Sequence, residues 1–223
     1  FEYSRSMQVR ELSPDMRALS AVRPIDHFTG AHTFYATFAS GKGTAPFVTV
    51  KDYEDNLARH DGYIAYLDHA IGRFREGMAS GVVDTKLTIR NVIDQLDAQL
   101  AMPMDETPFM GPVQMFPDDF AEADRQRLTT LYEVKTQEIY DAHRRLRDFL
   151  ADDYLPQARE EVGLSAMKGG SAYYDLMIQR STTLPLSADE VHRLGLDEVA
   201  RIRQEMDAIR KEVGFTGTLE EFF

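Results

Sequence analysis

One stretch of the chain has a helical period that leaves little freedom for its fold. Between residues 53 and 78, mostly apolar residues recur at alternating steps of four and three, and an α-helix places all of them on one face. Thr49 with Asp52 resembles a capping box before this stretch, and Gly81 suits the helix end. The spacing therefore predicts one long amphipathic helix with a single buried face: Tyr53, Leu57, His60, Ile64, Leu67, Ile71, Phe74 and Met78.

The same period continues after Gly81, and no run of β-branched residues has a period of two. We expect a second helix after Asp84-Thr85 and a third from about Asp118 to Asp153, which Tyr154-Leu155-Pro156 kinks or restarts. A short helix follows, and Ser187 with Glu190 forms a capping box before the last long one. The predicted fold is all-α, with long antiparallel helices that form part of a larger helical fold. The predicted helices span residues 49–80, 85–100, 118–153, 171–180 and 188–213.

The two ends of the chain differ from its middle. Residues 1–48 are predicted to be an irregular N-terminal segment with one short helix from Ser13-Pro14 to Leu19, and residues 49–223 a helical domain. Thr218 and Glu221 form another capping box, which is followed only by Phe222 and Phe223. We therefore expect the helical domain to be truncated at its C-terminal end. Because the chain starts without Met or an apolar leader, the true N-terminus is expected to be missing as well.

Composition excludes several classes of function. The net charge of −12 over 223 residues disfavours binding to nucleic acid or anionic lipid, since both would be repelled. The absence of cysteine excludes disulfides, thiolate zinc sites and cysteine nucleophiles. No apolar run approaches the roughly 20 residues that a transmembrane helix needs, so no transmembrane segment is predicted in this chain.

The histidines give no metal site by their spacing. None is followed by Glu and no two are four residues apart on a predicted helix, so a helical zinc motif is absent. His27 and His32 could converge in a loop, but no ligand set completes them. His60 is predicted to be a hydrogen-bonded core residue, and His69 and His143 to be exposed. No nucleophile elbow occurs either, so no catalytic residue and no metal ligand is predicted here.

One cluster of polar and aromatic residues could bind a ligand. It extends from Gly169 through two tyrosines and two threonines to the start of the last long helix, at predicted helix junctions. Tyr174, Thr182 and His192 are the candidate substrate-binding residues, since such groups hydrogen-bond a peptide or a carboxylate. The alternative is structural: the tyrosines divide between core and surface, the threonines end a helix, and His192 ties its helix to the tyrosine segment.

This cluster and its surroundings resemble a known bacterial family, the domain of unknown function 885 (DUF885). The resemblance covers nearly the whole chain, is most specific from Tyr154 to Phe223, and departs from the family pattern at Met167-Lys168, where Leu-Pro is expected. The matching elements, in chain order, are Arg23-Pro24-Ile25-Asp26, Phe28, Gly30, Pro46-Phe47, Thr49, Asp52-Tyr53, Tyr154-Leu155-Pro156-Gln157-Ala158-Arg159, Gly169-Gly170, Tyr173-Tyr174, Thr182-Thr183, Glu190-Val191-His192, Gly195-Leu196, Glu198-Val199, Arg201-Ile202, Glu205-Met206, Gly214-Phe215 and Gly217.

The resemblance implies a function for the intact protein. Family members are two to three times as long and are thought to be helical zinc-peptidase-like hydrolases, whose presumed His-Glu and Pro-Gly-His motif lies downstream of the matched region. This chain would then be the N-terminal half, with no cofactor of its own, forming one wall of a cleft for a peptide substrate. Its partner would be its own missing C-terminal half, which would carry the zinc. The family also implies a periplasmic or envelope location, possibly lipid-anchored, with the cytoplasm left open. The alternative is a non-enzymatic helical scaffold or binding module.

Overall fold

The structure is a computed structural model that describes Leu19 and residues 21–223. The described part is all-α and contains no strand, which confirms the predicted fold class. Its helices, in chain order, are α1 (Ala31–Ala39), α2 (Val50–Ser80), α3 (Lys86–Leu100), α4 (Glu122–Asp148), α5 (Gly170–Thr182), α6 (Ala188–Glu212) and α7 (Leu219–Phe222). The short helix predicted from Ser13 lies outside the described residues except for Leu19.

The helix ends form where the capping residues predict them. The side chain of Thr49 accepts a hydrogen bond from the Asp52 amide, and the Asp52 carboxylate accepts one from the Thr49 amide. Ser187 and Glu190 make the same reciprocal pair at the start of α6. At the end of α2, Gly81 adopts a φ of 76°, a left-handed conformation that costs glycine nothing. These local bonds satisfy backbone groups that the helices leave unpaired at their ends.

Helices α2 and α4 pack against each other, and α1 and α3 add to the same core. The predicted α2 face is confirmed in its centre, where Tyr53, His60, Leu67 and Phe74 are buried. The other predicted face positions are partly buried and border the core. This main core also holds Ile25 and Ala39, although the sequence indicated no element there. Residues 31–39 are helical, in contrast to the irregular segment expected, and they pack one face against the core.

A π-helical turn, Phe149–Tyr154, follows α4 and replaces the predicted simple kink. Its wider turn buries Tyr154, whose hydroxyl accepts a hydrogen bond from the Asp84 amide at 2.8 Å. Beyond it, the backbone of Arg159 pairs with the backbone at Asp84 and Lys86, which links the end of the α4 segment to the start of α3.

Helices α5 to α7 lie outside this main core. A small second cluster of Leu19, Val22, Val82 and Met167 joins the α5 region to the end of α2. Only Gly170 and Ile178 of α5 are buried, and no residue of α6 is.

Candidate functional site

A network of polar side chains lies between α2 and α4, inside the main core. The Nδ2 group of Asn56 donates to His60 Nε2 at 3.1 Å and to the Tyr132 hydroxyl at 2.9 Å. Since Nε2 accepts, the neutral ring carries its proton on Nδ1, which donates to the Tyr35 hydroxyl at 2.9 Å. His60 is thus the hydrogen-bonded core histidine that the sequence predicts.

A second buried hydrogen-bonded pair, between Tyr63 on α2 and His143 on α4, joins the same two helices. The Tyr63 hydroxyl lies 2.8 Å from His143 Nε2, while His143 Nδ1 is buried and has no hydrogen-bond partner among the described residues. The prediction that His143 is exposed is wrong: its side chain is fully buried. The reason is its spacing on α4, four residues after the buried Ile139 and three before the buried Leu146.

Burial keeps these groups uncharged. Desolvation lowers the pKa of His60 and of His143 to about 4, with nearby Arg59 adding to the effect at His60. The same desolvation raises the pKa of Tyr35, Tyr63 and Tyr132 above the ordinary value. The network is therefore a set of neutral imidazoles and un-ionised phenols, all of them buried except the partly exposed Tyr35.

The buried histidines do not fit a metal centre. Both ring nitrogens of His60 have hydrogen-bond partners, and His32 donates from Nε2 to the Gln95 side chain at 2.8 Å. In residues 21–223, no group of three or more His, Asp or Glu side chains converges so that it could hold a metal ion. The possible meeting of His27 and His32 therefore gives no ligand set in the described chain.

A buried carboxylate that the sequence interpretation missed lies at the start of α3. Burial raises the pKa of Asp84, although the Arg23 guanidinium is 2.9 Å away. Tyr154 and Arg159 contact the same turn by hydrogen bonds to its backbone: the Tyr154 hydroxyl accepts from the Asp84 amide, and Arg159 bonds through its own backbone and its guanidinium. The signal available was weak, since an Asp before Thr85 is simply typical of a helix start.

The predicted substrate-binding residues lie at the other end of the molecule, around α5 and α6. Tyr174 is 45% exposed on α5. It lines a shallow groove together with residues before α5, on α5 and at the start of α6: Gly163, Leu164, Ser165, Ser171, Asp175 and Ala188. His192, one turn into α6, is exposed.

Thr182 has a local role at the end of α5. Its hydroxyl donates to the Ile178 carbonyl at 2.8 Å and accepts from the Leu184 amide at 3.1 Å. Thr183 then adopts a left-handed φ of 63°, which ends the helix. No hydrogen bond joins Tyr174, Thr182 and His192 to one another in the described chain. Tyr174 lines the groove together with the first residue of α6, which lies one turn before His192.

The fold and these features define an all-α helical bundle with a buried polar network in its core and an exposed groove where α5 meets α6. A family model described as "Bacterial protein of unknown function (DUF885)" matches residues 2–223. The chain belongs to this family, which confirms the resemblance found in the sequence. No curated protein matches the chain.

A solved structure with a similar fold is that of the putative lipoprotein from Colwellia psychrerythraea. It is 24% identical, with a TM-score of 0.78 over 89% of this chain and 34% of that protein. The likeness shows the fold, and the chain spans about a third of the length of the protein that it matches. No helix in the described part is both long and apolar enough to cross a membrane.

Proposed function

We propose that this chain is the N-terminal helical half of a zinc-dependent peptidase and forms one wall of its substrate cleft. The observation that carries the proposal is the contrast between the two polar regions. The core histidines His60 and His143 are buried between helices, whereas Tyr174, which lines the groove, and His192, one turn beyond the groove on α6, are exposed. Ligands bind where a rigid scaffold presents polar groups at helix ends and loops.

Tyr174 and His192 would each hold a peptide carbonyl or a terminal carboxylate by about one hydrogen bond. Thr182 would contribute through the turn that its hydroxyl fixes between α5 and α6. When bound in the longer protein, zinc would polarise the scissile carbonyl and activate water. Because residues 21–223 supply no ligand set, its ligands would come from outside this region.

The proposal places the intact protein in the periplasm or the cell envelope. Its support is the fold shared with a protein named a lipoprotein, together with membership of a bacterial family. The length of that protein, about three times the matched region, supports a further portion that completes the cleft.

The test uses the protein expressed from its complete gene and a peptide substrate that it hydrolyses. His192→Ala should lower kcat/KM by about 2- to 10-fold, the value of one hydrogen bond of roughly 0.5–1.5 kcal/mol, with an unchanged Tm. His69→Ala removes an exposed histidine from α2 and is the matched control. A large fall in Tm with unchanged turnover per folded molecule would refute a substrate contact.

A second candidate is a non-enzymatic binding module, which the absence of any buried residue in α6 favours. The two functions separate on the same material. An intact protein that holds zinc and cleaves peptides supports the peptidase; one that binds a protein partner, without metal or hydrolysis, supports the module.

A further inference from the structure

Helix α6 is long and none of its 25 residues is buried. Its apolar side chains are nevertheless large. Six of them are 44% to 62% exposed: Leu194, Leu196, Val199, Ile202, Ile209 and Val213, which lies just after the helix. Val191 and Met206 are partly buried. Most helical stability in proteins comes from packing an apolar face, so a helix of this kind is typically covered.

The apolar residues of α6 form a continuous seam. Val199, Ile202, Met206, Ile209 and Val213 alternate steps of three and four and therefore lie on one side of the helix. These five residues are called the α6 seam below. Its length is about 20 Å at 1.5 Å per residue, enough to accept another helix along four turns.

The apolar face widens towards the start of α6. Leu194 and Leu196 are two residues apart and so point about 200° apart around the helix, with Val191 and Val199 between them. A two-stranded pairing needs only a narrow stripe, whereas a face that covers more than half the circumference is typical of a helix inside a larger fold. A second copy of α6 would leave one of these leucines in water.

Several charges beside the seam are already paired within α6. Arg201 bonds Glu198 and Glu205, each at 2.7 Å, and Arg210 bonds Asp207 at 2.7 Å. A partner therefore needs mainly apolar surface, with a counter-charge only for residues such as Arg203, which makes no ion pair in the described chain. The helix carries seven acidic and five basic residues, which is unfavourable for an anionic lipid surface.

We propose that the α6 seam, with Leu194 and Leu196, is covered by helices of the protein's own remaining chain. The proposal rests on the part of the proposed function that makes this chain one portion of a longer protein, and not on its peptidase chemistry. The matched Colwellia protein has about two thirds of its length outside the shared region, which is ample to cover α6 from two sides.

The test compares hydrogen exchange of α6 in two proteins: residues 1–223 alone and the product of the complete gene. The amides of residues 196–209 should exchange at least about tenfold more slowly in the longer protein, because opening of α6 there requires undocking. Equal exchange rates would overturn the proposal. This comparison needs no variant, so a failure of a variant to fold does not affect it.

Two substitutions then identify the covered face. Ile202→Asp puts a charge into the seam, and Gln204→Asp puts the same charge on the far side, about 160° away around the helix and away from Leu194 and Leu196. In the longer protein, only I202D should restore fast exchange and lower the Tm. In residues 1–223 alone, the two variants should behave alike.

A monomer–dimer equilibrium of residues 1–223 that I202D abolishes and Q204D retains, together with a dimeric longer protein, would instead identify a second copy as the occupant. The proposed function fails separately: a longer protein with protected α6 amides but no peptide hydrolysis contradicts the peptidase alone. A longer protein that hydrolyses peptides, but whose α6 amides exchange as fast as those of residues 1–223 alone, contradicts the docking of α6 alone.

Discussion

His143 should make the stability of this protein sensitive to mild acid. The perturbation is His143→Gln, which removes the titrating ring but leaves a polar side chain beside the Tyr63 hydroxyl. In the folded protein, burial lowers the pKa of His143 from 6.5 to about 4. The unfolded chain therefore binds a proton at pH values where the folded chain does not.

The sign and size of the effect follow from these two pKa values. Because the folded pKa is depressed, the contribution of His143 is fully present above pH 6.5 and is lost as the pH falls towards 4. Between pH 7.5 and pH 5, linkage gives a loss of about 2 kcal/mol in the free energy of unfolding. His60, also lowered to about 4, should contribute a similar amount.

Urea unfolding of both proteins at pH 7.5 and pH 5 measures the effect. The loss between the two pH values should be smaller in H143Q by about 2 kcal/mol, whatever the absolute stability of the variant. His69→Gln, which changes an exposed histidine of the same pair of helices, is the control for removing an imidazole. An equal pH dependence in wild type and H143Q would show that the ring is not held neutral by burial.

Two further predictions concern the chain on its own. Residues 1–223, dialysed against a weak chelator, should hold no stoichiometric zinc. The reason is that His60 and His32 are engaged in hydrogen bonds and no group of metal ligands converges in the described residues. Metal analysis that returns one zinc per chain would contradict this expectation. Gly170→Ala should lower the free energy of unfolding by more than about 2 kcal/mol, since a Cβ at Gly170 would overlap the Leu164 carbonyl oxygen. The matched change Gly195→Ala enters open space on α6 and should be neutral or stabilising in the same urea titration, and equal effects would argue against the overlap.

The regular part of the fold could be predicted because its signals are local. The capping pairs at Thr49 and Ser187 and the left-handed Gly81 depend on residues that are neighbours in sequence. The helix of residues 31–39 was missed because it has no capping side chain, and its burial comes from a core that other helices supply. Its formation is a tertiary effect that overrides weak local signals.

The site was harder to predict than the fold. His60 and His143 have the same chemistry and both lie on apolar faces, but only the spacing of His60 was interpreted in that way. The spacing of His143 to Ile139 and Leu146 contains the same information. The sequence left open whether Thr182 binds a ligand or ends a helix, because the engagement of its hydroxyl with its own turn depends on the backbone conformation at Thr183.

The backbone pairing between Thr85 and Arg159 separates the helices that lie inside a closed loop of the chain from those that follow it. It closes a loop that contains α3, the turns after it and all of α4. Bringing together the ends of so long a loop costs entropy that only contacts formed inside the loop can offset. We therefore expect the pairing to form after α3 and α4 have packed, whereas α5 and α6 begin only beyond the point of closure. The folded structure is then expected to grow outward from this bundle, with the open face of α6 completed last.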